Sequence, residues 1–176
     1  MNKVLVASAA YNWAETHRMA AIGKEFHKRG FKVYSIGKGY YEHLLKEDMI
    51  HVELNADSMW SQERIHKLMH MDEYGNDYCT KSELKLIVSE EIEMLQKVKP
   101  DIVITGYRTT LSLSCRYVKI PLVWVLSAVV SPIYFKMGLA TMPERTPLEY
   151  IKNIKDKKMQ AKYYSTLALK NNATSK

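Results

Sequence analysis

Cysteine is nearly missing from this chain of 176 residues: there are two, Cys79 and Cys115, far apart and with no ligand-like spacing to one another or to histidine. That spacing favours reduced thiols over a disulfide or a zinc site, and reduced thiols are expected. His43, His51, His66 and His70 stand at no metal-binding interval from cysteine or carboxylate, so no metal is expected either. No apolar run approaches the roughly 18 residues that a membrane span requires. Met1-Asn2-Lys3 leads straight into a strand instead of a signal peptide, and the expected location is the cytoplasm. Glycine is scarce where it would matter most. The segment Ser8 to Arg18 contains none of the seven glycines, although a dinucleotide fold needs Gly-x-Gly-x-x-Gly there to let the backbone approach a pyrophosphate. The Lys-Ser/Thr signature of a phosphate loop is missing too. NAD, FAD and nucleoside triphosphates are therefore excluded as ligands of that loop.

Around the loop the pattern is clear. Val4, Leu5, Val6 and Ala7 form an unbroken apolar run, as in a strand buried on both faces of a parallel sheet. Met19, Ala21, Ile22 and Phe26 then recur at helical spacing, Gly30 ends the helix, and Phe31 to Ile36 resumes a strand. This βαβ unit places its first loop at the carboxyl edge of the sheet, where open α/β folds bind ligands. A short helix is expected over Glu42 to Lys46, a strand over Ile50 to Leu54, a helix over Ser58 to Met71 and a loop over Asp72 to Asp77. Thr80-Lys-Ser-Glu83 has the form of a capping box, and Leu84, Ile87, Val88, Ile92, Leu95 and Val98 extend an apolar face to the stop at Pro100. Strand, helix and strand follow over Asp101 to Thr105, Thr109 to Tyr117 and Pro121 to Leu126. The alternation predicts an α/β chain: a Rossmann-like open parallel sheet with helices on both faces.

The net charge of +7 is concentrated at one end. From Arg145 onward there are eight Lys or Arg and two Asp or Glu, 8 − 2 = +6, so the body before it is close to neutral. A domain over residues 1–144 and a basic helical tail over 145–176 are expected. Between Pro147 and Lys170, Leu148, Ile151, Met159, Tyr163 and Leu167 can line one face of a helix with lysines around it, and the Pro132 to Leu139 segment adds further apolar residues. Such a tail suits a partner subunit, an anionic membrane surface met peripherally, or packing back onto its own sheet. Base-stacking motifs are missing, which argues against nucleic acid.

Three stretches carry a family resemblance. Ala14-Glu-Thr-His-Arg18 and the helix after it resemble the Gly-His-x-x-Arg opening of the GT-B glycosyltransferases, in their macrolide and UDP-glycosyltransferase-like branch. Lys99-Pro-Asp-Ile-Val-Ile-Thr-Gly106 resembles that family's Pro-Asp strand, and Ile120-Pro-Leu-Val-Trp124 its following Ile-Pro strand. The resemblance covers most of Lys3 to Val130 and implies the amino-terminal, acceptor-binding domain. It implies transfer of a hexosyl group from a nucleotide sugar, with that co-substrate held by a carboxyl-terminal domain not found in this sequence. No cofactor is implied for the chain itself. The implied partners are a donor-binding subunit or domain and a small-molecule, glycan or lipid-linked acceptor; whether the chain is a natural half or a truncation stays open. A non-catalytic binding or assembly module of the same fold is the alternative, as is a basic-tailed membrane-surface protein.

The departures fall on the chemistry. Glu15 stands where the family has its general-base histidine, and Gly106 where it has the aspartate that orients it. The resemblance makes Glu15 the candidate base, since a desolvated carboxylate can gain a near-neutral pKa; a charge set against the helix dipole is the other reading. His17 is a second candidate, about 200° around the helix. Asn12, Trp13, Arg18 and Arg108 are the expected acceptor-binding residues, the arginines as donors to a phosphate or carboxylate or simply as members of ion pairs.

Overall fold

The first strand, β1 (Lys3–Ala7), is buried along its apolar length and packs on both sides. Alternation sends Leu5 and Ala7 into one apolar cluster and Val4 and Val6 into another. The computed structural model describes residues 2–61, 63–65 and 79–126. Met1–His70 and Tyr78–Val125 form one unit, to which every element below belongs; Met71–Asp77 and Leu126–Lys176 form a second. The expected boundary at residue 145, the basic tail and the Pro132 to Leu139 segment lie outside the described residues.

β1 pairs in parallel with β2 (Lys32–Ile36) and β4 (Ile102–Thr105), in registers that run from Lys3 opposite Lys32 and from Val4 opposite Ile102. The short β3 (Ile50–His51) extends the sheet beyond β2, and β5 (Leu122–Trp124) beyond β4, giving the all-parallel order β3-β2-β1-β4-β5. Helix α1 (Trp13–Lys28) covers one face through Met19, joined by Leu45 of α2 (His43–Lys46). Helices α3 (Lys81–Val98) and α4 (Leu111–Val118) cover the other through Met94, Leu95, Val98, Leu111 and Cys115. The expected doubly covered parallel sheet is thus the observed fold.

Local signals explain most element ends. Asn12 caps α1 by accepting Glu15 N at 3.1 Å. The predicted capping box is present on α3: Thr80 Oγ1 accepts Glu83 N at 3.2 Å, and Glu83 Oε2 accepts Thr80 N at 2.7 Å. Lys99 then turns left-handed, at φ 52°, just before Pro100. Three expectations are corrected. Ala21 is exposed, because the buried stripe of α1 runs Thr16, Met19, Ala20 and Gly23. β3 pairs with β2 over two residues instead of continuing to Leu54, and Asn55–Met59 is a 3-10 helix where an α-helix was expected to begin at Ser58. Asp57 at the centre of that turn is ion-paired with Arg108, whose Nη1 stands 2.8 Å from its Oδ2. The remainder of the expected helix, from His66 to Met71, lies outside the described residues.

Candidate functional site

Because β3 precedes a crossover to β4 on the far side of β1, the strand order reverses between β1 and β4. Loops leaving neighbouring strands in opposite directions open a crevice at that point. Here the crevice lies between Ser8–Asn12, after β1, and Gly106–Thr110, after β4. Its inner part is filled by Glu15, from the first turn of α1, which is 1% exposed.

Glu15 touches both loops. Its Oε2 shares a hydrogen bond with Ser8 Oγ, and its Oε1 accepts Tyr107 N at 3.4 Å. Ser8 Oγ also accepts Ala10 N at 2.9 Å and lies 3.0 Å from Thr16 Oγ1, which donates to Asn12 O at 2.8 Å. Burial raises the Glu15 pKa above the ordinary glutamate value, opposed by the hydrogen bonds from Ser8 and from the Tyr107, Ala9 and Gly106 backbone. Gly106 is what makes room. A Cβ there would stand 2.6 Å from Glu15 Cγ and 2.8 Å from Oε1. The two positions at which the motifs depart from the GT-B pattern are therefore in contact, and the larger side chain at one fits only because the other has none.

Beside this crevice lies a second buried cluster. Arg108 is 8% exposed; its Nη1 and Nη2 each donate to Asp57 at 2.8 Å, and its Nε donates to Glu91 Oε1 at 2.7 Å. Glu91, fully buried on α3, also accepts Thr110 Oγ1 at 2.6 Å and the Ser114 hydroxyl. Burial alone would lower the Arg108 pKa, but the two carboxylates outweigh it and push the pKa up. The nearby Cys115 thiol is pushed up to about 11 by burial and then by the Glu91 charge, which leaves it a poor nucleophile.

An open cleft borders both clusters. Tyr11, Lys38, Trp60, Tyr107, Thr109 and Thr110 line it, with Ala9, Asp57, Ile87 and Arg108. The Lys38 loop is held close to the β1 loop by Gly37, at φ +136°, where a Cβ would come within 2.3 Å of Ser8 O. Its lining combines aromatic faces, hydroxyls and one ammonium. The one lining carboxylate, Asp57, is committed to Arg108.

Among the expected site residues, Arg108 lines the cleft, with its guanidinium held by Asp57 and Glu91. Asn12 uses its side-chain oxygen as the α1 cap. Trp13, 56% exposed, stacks on His17 with ring centroids 5.0 Å apart on the outer side of α1, and neither lines the cleft. Arg18 is half-buried, and its Nη1 has no hydrogen-bond partner. Glu15 is enclosed behind the cleft instead of opening into it. Sequence reasoning missed Ser8, Asp57, Glu91 and Tyr107. Glu91 had left a signal, as an acid interrupting the Ile87, Leu95, Val98 stripe, but the other three stand in segments with no periodicity. Among the described residues no group of three metal-ligating side chains forms, and no helix is long and apolar enough to cross a membrane.

No family model matches the chain, and no curated protein matches it. Solved structures do. MurG of Acinetobacter baumannii superposes with a TM-score of 0.52 at 14% identity, over 72% of this chain and 35% of its own. UGT2 of Phytolacca americana superposes with a TM-score of 0.51 at 14% identity, over 82% of this chain and 35% of its own. The chain thus spans about a third of the length of these neighbours. At such identity the likeness shows the fold, and it is the GT-B-type Rossmann fold anticipated from the three motifs.

Proposed function

We propose that this chain supplies the acceptor-binding half of a glycosyltransferase, with the nucleotide-sugar donor held by a separate domain or subunit. The single observation that carries this reading is the division of the switch-point crevice. The part in which a glycine-rich loop would receive a pyrophosphate is filled by Glu15, whereas the adjoining part is open and lined by Tyr11, Trp60, Tyr107, Thr109 and Thr110. The first feature argues against a pyrophosphate seat in that part of the crevice, and the second supports a ring-bearing acceptor as the ligand of the adjoining part. In the proposed reaction an acceptor hydroxyl in this cleft attacks the anomeric carbon of the sugar. The bond from that carbon to the nucleotide diphosphate breaks, and the hydroxyl proton passes to a base.

A second reading, a binding module without catalysis, is favoured by a specific fact: the positions of the family's base and its orienting aspartate carry an enclosed glutamate and a glycine in contact with it. Fold alone does not choose between them, because function resides in the site. A chimera placing this chain ahead of a donor-binding Rossmann domain separates the two. The leading reading expects glycosyl transfer to an acceptor panel, impaired by bulk added at Thr109 or Tyr107. Acceptor binding without transfer selects the module, and neither binding nor transfer removes both.

A further inference from the structure

The polar side chains lining the cleft divide into those already bonded within the protein and those left for a ligand. Asp57 and Arg108 hold each other through two bonds of 2.8 Å, and Thr110 gives its hydroxyl hydrogen to Glu91 at 2.6 Å. The Lys38 ammonium and the Tyr107 and Thr109 hydroxyls, in contrast, make no hydrogen bond or ion pair among the described residues, and all three residues are exposed. An ammonium only donates, and a hydroxyl can donate. The uncommitted set is thus one cation and two hydroxyls, and the one lining carboxylate is spent elsewhere.

The backbone that carries Lys38 is fixed on both sides of it. Gly37 lies so close to the β1 loop that a Cβ would come within 2.3 Å of Ser8 O, and at Gly39 a Cβ would stand 2.7 Å from Ala10 O. Tyr41 N donates to that same Ala10 carbonyl at 3.0 Å. A side chain at either glycine would push this loop off the β1 loop and carry the ammonium away from the cleft. Gly37-Lys38-Gly39 thus sets one positive charge on a clamped backbone, beside walls that carry the aromatic Tyr11, Trp60 and Tyr107.

We propose that the ligand of this cleft is a ring-bearing carboxylate, and that Lys38 is the residue that selects its charge. The ammonium donates to the carboxylate, the Thr109 and Tyr107 hydroxyls are donors for its remaining lone pairs, and the ring lies among the aromatic walls. A single negative charge is what the site matches. Behind the cleft, Arg108 is one cation set against two carboxylates, Asp57 and Glu91, so a dianionic phosphate would meet that excess with only Lys38 to offset it. Glu91 does not itself line the cleft, and its oxygens are taken by Arg108, Thr110 and Ser114. The inference rests on the acceptor reading of the cleft, but the two can fail separately. Transfer to neutral acceptors in the chimera, undiminished by Lys38→Gln, would keep the transferase reading and remove this one; carboxylate binding without transfer would do the reverse.

Benzoate and its neutral counterpart of similar shape, benzamide, are the probes, titrated into the full chain and followed by amide NMR with the Lys38 and Thr109 signals as reporters. Benzoate should bind there about tenfold tighter than benzamide, between the worth of an exposed ion pair and that of a well-made charge-assisted bond. Added salt should erode that advantage and leave benzamide unchanged. Lys38→Gln, at an exposed position without a partner, should fold as the parent does and bring benzoate down to the benzamide level. Lys38→Arg should keep the preference, because it keeps the charge. Equal affinity for the two probes, no benzoate-induced shift of the reporter signals, or a preference that survives Lys38→Gln overturns the proposal. Phenyl phosphate, whose head group carries close to two charges, is the third probe. If it moves the same signals with an affinity more than about tenfold above that of benzoate, the site belongs to a phosphate and the carboxylate assignment is overturned.

Discussion

Replacing Arg108 by methionine would leave two carboxylates without their cation, one 2% exposed at Asp57 and one fully buried at Glu91. Arg108 makes three charge-assisted bonds to them, at 2.8, 2.8 and 2.7 Å. Removing one partner of a buried ion pair costs about 3–5 kcal/mol, because the remaining charge is stranded in low dielectric. Glu91 keeps the Thr110 and Ser114 hydroxyls as donors, which places the expected loss near the middle of that range, about 4 kcal/mol. With a urea dependence of about 2 kcal/mol per molar, the unfolding midpoint should fall by about 2 M. The loss should also depend on pH. Stranded buried carboxylates have raised pKa values, so the variant should regain stability as pH falls and they become neutral. Urea titrations monitored by tryptophan fluorescence, run at neutral and mildly acidic pH, measure both effects. Arg108→Met combined with Asp57→Leu should recover part of the loss, as apolar replacement of whole buried pairs does elsewhere. A loss below about 1 kcal/mol, or one independent of pH, would refute the reasoning, since those are the marks of a surface pair.

Gly106→Ala should destabilise by about 1–3 kcal/mol, the usual cost of overpacking, because its Cβ would stand 2.6 Å from Glu15 Cγ. In a Gly106→Ala, Glu15→Ala double-mutant cycle that clash should vanish and the two losses should fall short of additivity; strict additivity in urea melts would show that the residues do not meet. Cys115, buried and with its thiol pushed up to about 11, should resist alkylation at neutral pH until the chain is unfolded; mass spectrometry of native and denatured samples reads this, and equal labelling would count against the packing of α4. Thr80→Ala should cost about 1 kcal/mol through loss of the α3 cap, read as a shift in the urea midpoint. Glu83, in the same box, has its pKa lowered to about 2 by its bonds from Arg64 and Thr80. Its contribution should be complete above pH 4.5 and fade as pH falls towards 2, and a Glu83→Gln chain should lack that acid limb.

The sheet was legible because burial on both faces leaves an uninterrupted apolar run at Val4 to Ala7 and at Ile102 to Ile104, while Phe31 to Ile36 sets the buried Val33 and Ile36 among the polar Lys32 and Ser35. The α3 cap was legible because a capping box is local: four residues specify it. Asp57, in the turn that follows β3, meets Arg108 from 51 positions away, a contact that no window of sequence contains. The site shows the same limit. Glu15 and Gly106 could be singled out as departures from a motif, but their contact, and the dependence of one on the smallness of the other, appear only when β1 and β4 lie side by side. Arg108 was expected either to face a ligand or to join an ion pair, since an arginine after a strand reads the same in sequence whether its fork meets substrate or two buried acids.

The function proposed for this unit is to seat an acceptor while another domain holds the donor. Calorimetric titration of the chain with a panel of nucleotide sugars tests it most directly. The filled crevice predicts no saturable heat with any of them, and micromolar binding of a nucleotide sugar to the chain alone would contradict the account.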